Sequence, residues 1–290
     1  MRPIVFVLLD GLRLDTACAC MGYVQAAAGQ PLAVTAELPS LSRPLYETLM
    51  TGQTPIQSGI TGNGSVRRSR HPSVFDRCRG AGQTTAAAAY HWFSELYNHA
   101  PFDPAQRVTH DPDAAIQHGM FYWQDGYPDD HLFADAMALW HRHSPHFLLV
   151  HSMGVDDAGH RYGGGGTEYR RAARQADALL SRTVPVWLDA GCTVIVTSDH
   201  GMGDDGMHGG PGATETQVPF WLLGTGRMAP GTVLRQTEIA GTVCALLGVS
   251  TDGMAVNAEI SSLRAPLGAR QSRGDGRDCG SWIASPSGSQ

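Results

Sequence analysis

The sequence predicts an α/β fold, a single domain with a mostly parallel central sheet flanked by helices. Short β-branched or apolar runs recur at wide spacing, and they are apolar without a break rather than alternating, as strands covered on both faces are. Amphipathic stretches of helical length separate them, giving a β–α–β order that brings ligands to the carboxyl ends of the strands. The 290 residues lie near the upper size of one domain, roughly 250–300 residues.

In chain order, the strand candidates are 4–9 (IVFVLL), 84–89 (TTAAAA), 147–151 (FLLVH), 193–198 (TVIVTS) and 218–223 (VPFWLL). Helices are expected at 43–51, 129–143, 168–189 and 236–247. The third places Tyr169, Ala173, Ala176, Leu180 and Val184 at helical spacing, with Arg170, Arg171 and Arg174 between them. Segments 52–83 and 98–128 are rich in Gly, Pro, Asn, Asp and His and read as long surface excursions of the kind that carry function. From 265 onward Gly, Ser and Arg dominate, so the expected domain is 1–264 and 265–290 a disordered tail. No internal repeat is visible.

Composition excludes several classes. No apolar run approaches the ~20 residues of a membrane span, so no membrane partner is expected. A net charge of −6 argues against a broad basic face for a nucleic-acid duplex. Lysine is absent, which removes Schiff-base and lysine-base chemistry. Six cysteines without a CxxC pair or regular spacing read as free thiols in a reducing, cytoplasmic setting. The opening MRPIVFVLLDG has one basic residue and an Asp where a cleavage site needs a small residue, and reads as a strand rather than a signal peptide. Nothing in the sequence fixes the oligomeric state.

The unusual polar residues cluster just past predicted strands. Asp10 ends VFVLLDG, Asp156 and His160 sit in VDDAGH, Asp199 and His200 end TVIVTSDHG, and His208 follows in DGMHGG. Carboxylates with imidazoles suit zinc and similar divalent ions. Each fragment has a plainer reading. DxxxH is common, Asp10 would serve as a cap for 11–16, and His208 is a lone loop histidine. Asp199 and His200 are adjacent and converge only if the strand has ended, which Gly201 permits. The joint pattern at successive strand ends favours a two-metal site. Ser42, before Arg43 and Pro44, reads either as a helix N-cap or as a nucleophile with free backbone N–H groups aimed at an anion above it. The aromatic-rich AAAAYHWFSELYN at 86–98 suits core packing or stacking on a leaving group.

The chain resembles the alkaline phosphatase superfamily, in particular the nucleotide pyrophosphatase/phosphodiesterase group and its small bacterial members. The resemblance rests on VLLDGLR around Asp10, LPSLSRPLYETLMTGQTPIQSGITGN from Ser42 to Asn63, VDDAGHRYG, TSDHGM, MHGG and EIAGTVCALLGV, an ordered set running through 3–249. It implies two divalent ions, zinc or else manganese. Asp156, His160 and His208 would hold one. Asp10, Asp199 and His200 would hold the other, with Ser42 bridging toward the phosphoryl group and Asn63 contacting it. Two departures stand out. The family's nucleophile is usually threonine followed by an aromatic residue, whereas here Ser42 is followed by Arg43, and the chain is short for the group.

The implied activity is hydrolysis of a phosphodiester or pyrophosphate bond in a small phosphoester such as a nucleotide, through a covalent adduct on Ser42. Two inversions would give net retention at phosphorus. The alternative is a phosphomonoesterase or phosphonate hydrolase on the same site, favoured if Arg43 binds two phosphoryl oxygens together. Otherwise Arg43 is expected to point to solvent or to Glu47. Sulfatase chemistry is not expected, since PSLSR lacks CxPxR, and a mutase would need a longer insertion. A metal-stabilised binding protein without turnover is the reading from another class.

Overall fold

The computed structural model describes residues 2–229 and 231–263. The expected tail 265–290 lies outside the described residues. The strands are β1 (Ile4–Leu9), β2 (Leu32–Thr35), β3 (Thr85–Tyr90), β4 (Val108–His110), β5 (His118–Tyr122), β6 (Phe147–Ser152), β7 (Thr193–Thr197) and β8 (Gln217–Leu223). Among them run α1 (Leu14–Cys20), α2 (Gly22–Ala28), α3 (Ser42–Thr51), α4 (Pro55–Ser58), α5 (Val74–Gly80) and α6 (Trp92–Tyr97). There follow α7 (Asp129–His143), α8 (Gly154–Tyr162), α9 (Thr167–Asp189), α10 (Ala213–Thr216), α11 (Ile239–Leu247) and α12 (Ala258–Ser261).

These strands form one sheet in the order β2-β8-β7-β1-β6-β3-β5-β4. The inner run from β7 to β5 is parallel, while β8 runs antiparallel to both β7 and β2 on one side and β4 runs antiparallel to β5 on the other. The uninterrupted apolarity of β1 follows from two cores. Ile4, Phe6 and Leu8 face the layer holding α3, α5 and α11, and Val5, Val7 and Leu9 face the layer holding α1, α2, α7 and α9. A strand covered on both faces has no solvated side to leave polar.

Three expectations change. The run 218–223 is as apolar as its neighbours, yet β8 is antiparallel to β7, because helices cover both of its faces and burial does not record strand direction. Segment 98–128 contains β4 and β5, whose short stretches carry Gly and His and gave no β-branched run. Segment 52–83 contains α4 and α5, and α5 is closed by a capping box between Ser73 and Asp76.

The parallel core decides where the site lies. β1, β6 and β7 are neighbours in register, with Leu9 beside Ser152 and Leu8 beside Thr197. Whatever follows Leu9, Ser152 and Thr197 therefore gathers at one edge of the sheet.

Candidate active site

Asp10, directly after β1, is fully buried, and its backbone N–H donates to Ser152 O at 2.9 Å. It does not cap a helix, since α1 starts only at Leu14. The Oδ2 oxygen accepts from the Tyr46 hydroxyl and faces His151 Nε2 at 3.0 Å. Oδ1 has no hydrogen-bond partner among the described residues and lies 3.3 Å from His200 Nε2. Asp199, just past the end of β7, repeats the pattern. Oδ1 accepts from Gly11 N at 3.3 Å, while Oδ2 is unpartnered and 3.3 Å from His200 Nε2. Asp156 and His160 lie one turn apart on α8, 3.3 Å from Oδ2 to Nε2. Asp156 Oδ1 is again without a hydrogen bond, 3.7 Å from His208 Nε2.

The imidazoles are oriented from behind. Nδ1 of His200 lies 2.8 Å from Gly201 O, that of His160 2.8 Å from Gly206 O, and that of His208 2.8 Å from Ser40 O. A carbonyl can only accept, so each ring carries a proton on Nδ1 and turns Nε2 inward, the orientation seen behind metal-bound histidines; the Nε2 of His160 donates to Asp156. The inward nitrogens meet: His208 Nε2 is 3.2 Å from His160 Nε2, and the rings of His200 and His208 stack at 3.8 Å. Asp156, His200 and His208 offer donors within 4.8 Å of one another, as do Asp10, Asp199 and His200. His200 thus joins the two groups, whereas the sequence assigned it to one.

Ser42 is the first residue of α3, not its cap, a place taken by Leu41. Its Oγ lies 3.0 Å from His200 Nε2. The backbone amide of Arg43 is not free, because it donates to Asn63 Oδ1 at 3.0 Å, and Pro44 has no N–H. The expected row of free amides is therefore replaced by Asn63. Arg43 points neither to solvent nor to Glu47. It is buried, donates from Nη2 to Glu95 Oε2 at 2.7 Å, and its guanidinium lies 4.5 Å above the Trp92 ring. Its Nε and Nη1 have no acceptor among the described residues. Within 86–98, Phe93 stacks on Tyr46 at 4.5 Å and packs into the core with Leu96 and Tyr97.

Electrostatics single out this cluster. Burial, then the charges of Asp199 and Asp156, push Asp10 well above the usual carboxylate range. Burial also raises Asp199. Burial opposes ionisation of Asp156 too, but the hydrogen bond from His160 and the neighbouring imidazoles bring it below its ordinary value. His208 is held down to about 4 by burial and by His200. His160, hydrogen-bonded to Asp156, is raised to about 9. Three carboxylates buried together, two of them pushed up by burial and by one another, crowd like charge in a way a protein interior does not tolerate without added positive charge. The donors fit divalent cations in number, chemistry and convergence.

Two supporting residues escaped the sequence reading. His151 accepts from Tyr90 N on Nδ1 at 3.3 Å, so its Nε2 carries the proton that Asp10 receives. Tyr46 lies one helical turn after Ser42 and holds the same oxygen.

A family model for type I phosphodiesterase/nucleotide pyrophosphatase matches residues 4–207. Human GPI ethanolamine phosphate transferase 2, catalytic subunit, is 22% identical over 85% of this chain and 26% of its own length. GPI ethanolamine phosphate transferase 3 of Eremothecium gossypii is 33% identical over 32% of this chain and 9% of its own. The chain thus corresponds to a minor part of either relative. Among solved structures, an inactive variant of murine ectonucleotide pyrophosphatase/phosphodiesterase 5 in complex with AMP superposes with a TM-score of 0.69 at 13% identity, covering 91% of this chain and 100% of that one. A putative sulfatase from Bacteroides fragilis gives 0.59 at 16% identity, over 85% and 74% of the two chains. At these identities the likeness is one of fold.

Proposed function

We propose that this chain, which belongs to the type I phosphodiesterase/nucleotide pyrophosphatase family of the alkaline phosphatase superfamily, cleaves a phosphodiester or pyrophosphate bond through a covalent adduct on Ser42. The observation that carries the reading is the convergence of unpartnered Asp10 Oδ1, Asp156 Oδ1 and Asp199 Oδ2 with inward-facing histidine nitrogens, one of which touches Ser42 Oγ. Asp156, His160 and His208 would hold one ion and Asp10, Asp199 and His200 the other. Divalent ions there, zinc or manganese, supply the positive charge that makes a serine hydroxyl nucleophilic and neutralises the transferring phosphoryl group.

The chain's residues then have defined work. Ser42 Oγ attacks phosphorus in line, forming the Oγ–P bond as the bond to the leaving oxygen breaks. Water reverses the exchange in a second step and frees Ser42. With an alcohol in place of water the same adduct would pass to an acceptor, the outcome named in the transferase relatives. Asn63 Nδ2 would donate to a non-bridging oxygen, a role supported by the hold of the Arg43 amide on its partner oxygen. His151 and Tyr46 keep Asp10 in its ionised orientation. A nucleotide is a fitting substrate, supported by the AMP complex of the structural neighbour.

The monoester and phosphonate reading has one observation behind it. Arg43 Nε and Nη1 are buried donors beside Ser42 with no acceptor, and a dianionic phosphoryl group would supply two. Protein stripped by a strong chelator and reloaded with Zn²⁺ or Mn²⁺ should be assayed on a diester, a monoester and a phosphonate. The proposal expects activity only after reloading, greatest on the diester. Full activity in the stripped protein contradicts it, and monoester preference selects the second reading.

A further inference from the structure

A second histidine cluster stands at the other edge of the sheet. His110 and His118 are register partners across the antiparallel pair β4–β5, so their side chains share one face. Their Nδ1 atoms approach to 2.7 Å. His143, in the last turn of α7, stacks on His118 at 3.7 Å with the rings 7° apart, and lies 5.5 Å from His110. His118 opens β5 and His143 closes the helix leading into β6, which places the cluster on the amino-terminal edge of the parallel strands, opposite Asp10 and Ser42.

We propose that His110, His118 and His143 form a second metal site, for a divalent transition ion such as zinc, which ties edge strand β4 and its neighbour β5 to the carboxyl end of α7. Donor nitrogens of all three rings lie within 4.8 Å of one another. Tetrahedral zinc with bonds of about 2.0–2.1 Å needs its nitrogens about 3.3 Å apart, so the two facing Nδ1 atoms open slightly as the ion replaces the proton they share. His110 is exposed and His143 half-buried, which leaves both rings room to turn. An all-imidazole set selects borderline ions over magnesium or calcium. The carboxyl end of the 15-residue α7 adds the negative pole of its dipole. Arg142 is the positive neighbour that the ion must tolerate, and it is exposed to water.

The device has a mechanical logic. β4 is a three-residue strand at the sheet edge, paired among the described residues with β5 alone and followed by a Pro- and Asp-rich turn. An ion bound to β4, β5 and α7 would fasten this corner without adding to the apolar core. Three ligands from the chain leave the fourth position of the ion to solvent.

The test is zinc stoichiometry of the whole chain after stripping and dialysis against Zn²⁺, read by elemental analysis beside a Zn²⁺-dependent thermal melt. Wild type should carry one zinc more than His110→Ala/His143→Ala, and excess Zn²⁺ should raise its Tm several degrees further than that of the variant. Phosphoesterase activity should be the same in both. His118→Gln provides the same comparison should the double variant fold poorly. Equal zinc content in wild type and either folded variant would overturn the site. The readout is a difference between proteins with identical Asp10–Ser42–His200 clusters, so it stands whether or not zinc occupies that cluster.

Discussion

Asp10 shows how single residues build the site. One oxygen is held by Tyr46 and His151, which leaves the other aimed at His200. Tyr46→Phe and His151→Gln should each weaken metal affinity about 10–100-fold, the usual effect of losing a group that orients a ligand; titration of stripped protein with Zn²⁺ checks this. Arg43 and Glu95 form a buried pair, so Arg43→Ala strands a carboxylate and should cost about 3–5 kcal/mol in urea unfolding, most of it restored by adding Glu95→Gln. In the stabilised double variant, a monoester loss at least tenfold greater than the diester loss would place the guanidinium on phosphate. The residues that converge were legible because carboxylates and imidazoles stand out at the ends of apolar runs. His151 was not, since a lone histidine inside FLLVHSM reads as core. Its signal was positional: in a parallel sheet it sits beside Leu8, two residues before the chain passes Asp10. Arg43 was misplaced for another reason, because its partners Glu95 and Trp92 come from α6, about fifty residues on, and no local pattern encodes that pairing.

At the scale of elements, close approach of β1 to α8 sets the spacing of the cluster. Gly11 has φ +68°, and a Cβ there would lie 2.7 Å from Asp156 Oδ1. Gly11→Ala should therefore destabilise the fold by about 1–3 kcal/mol from backbone strain and displace Asp156, with activity falling at least a hundredfold, a loss that steady-state kinetics on folded variant measures. Helix α3 is buried along its whole length, and its Glu47 is raised from 4.5 to about 7, by burial above all. The folded state therefore holds a proton that the unfolded state releases between those values. The stabilisation is complete below pH 4.5 and is lost as pH rises through 7. Glu47→Gln should gain in Tm relative to wild type as pH goes from 5 to 8, by the equivalent of roughly 1–3 kcal/mol at about 1.4 kcal/mol per unit; a constant difference across that range would contradict it. The long helices α7 and α9 were readable to within a residue because their apolar spacing is strong. The direction of β8 was not, because apolarity reports cover on both faces and nothing more. β4 and β5 went unseen because HGMFY and VTH are too short to show a period.

For the molecule as a whole, the parallel order of β7, β1 and β6 brings side chains from residues 10, 42, 156 and 199 within reach of one another, so motifs scattered over two thirds of the sequence meet in one place. Gathering three buried carboxylates there weakens the fold until cations offset them, so stripped protein should melt well below the zinc-loaded form, and the gap should shrink in Asp199→Ala, where one repelling charge is gone. The central claim is that this gathered site works through Ser42. It is tested most directly by acid-quenching wild type during turnover of a diester and weighing the peptide that contains Ser42. A phosphoryl or nucleotidyl adduct is expected on that serine and none in Ser42→Ala, which should retain its metal while losing at least a thousandfold in kcat. Turnover without any adduct, together with a Ser42→Ala variant that stays within tenfold of wild type, would contradict it.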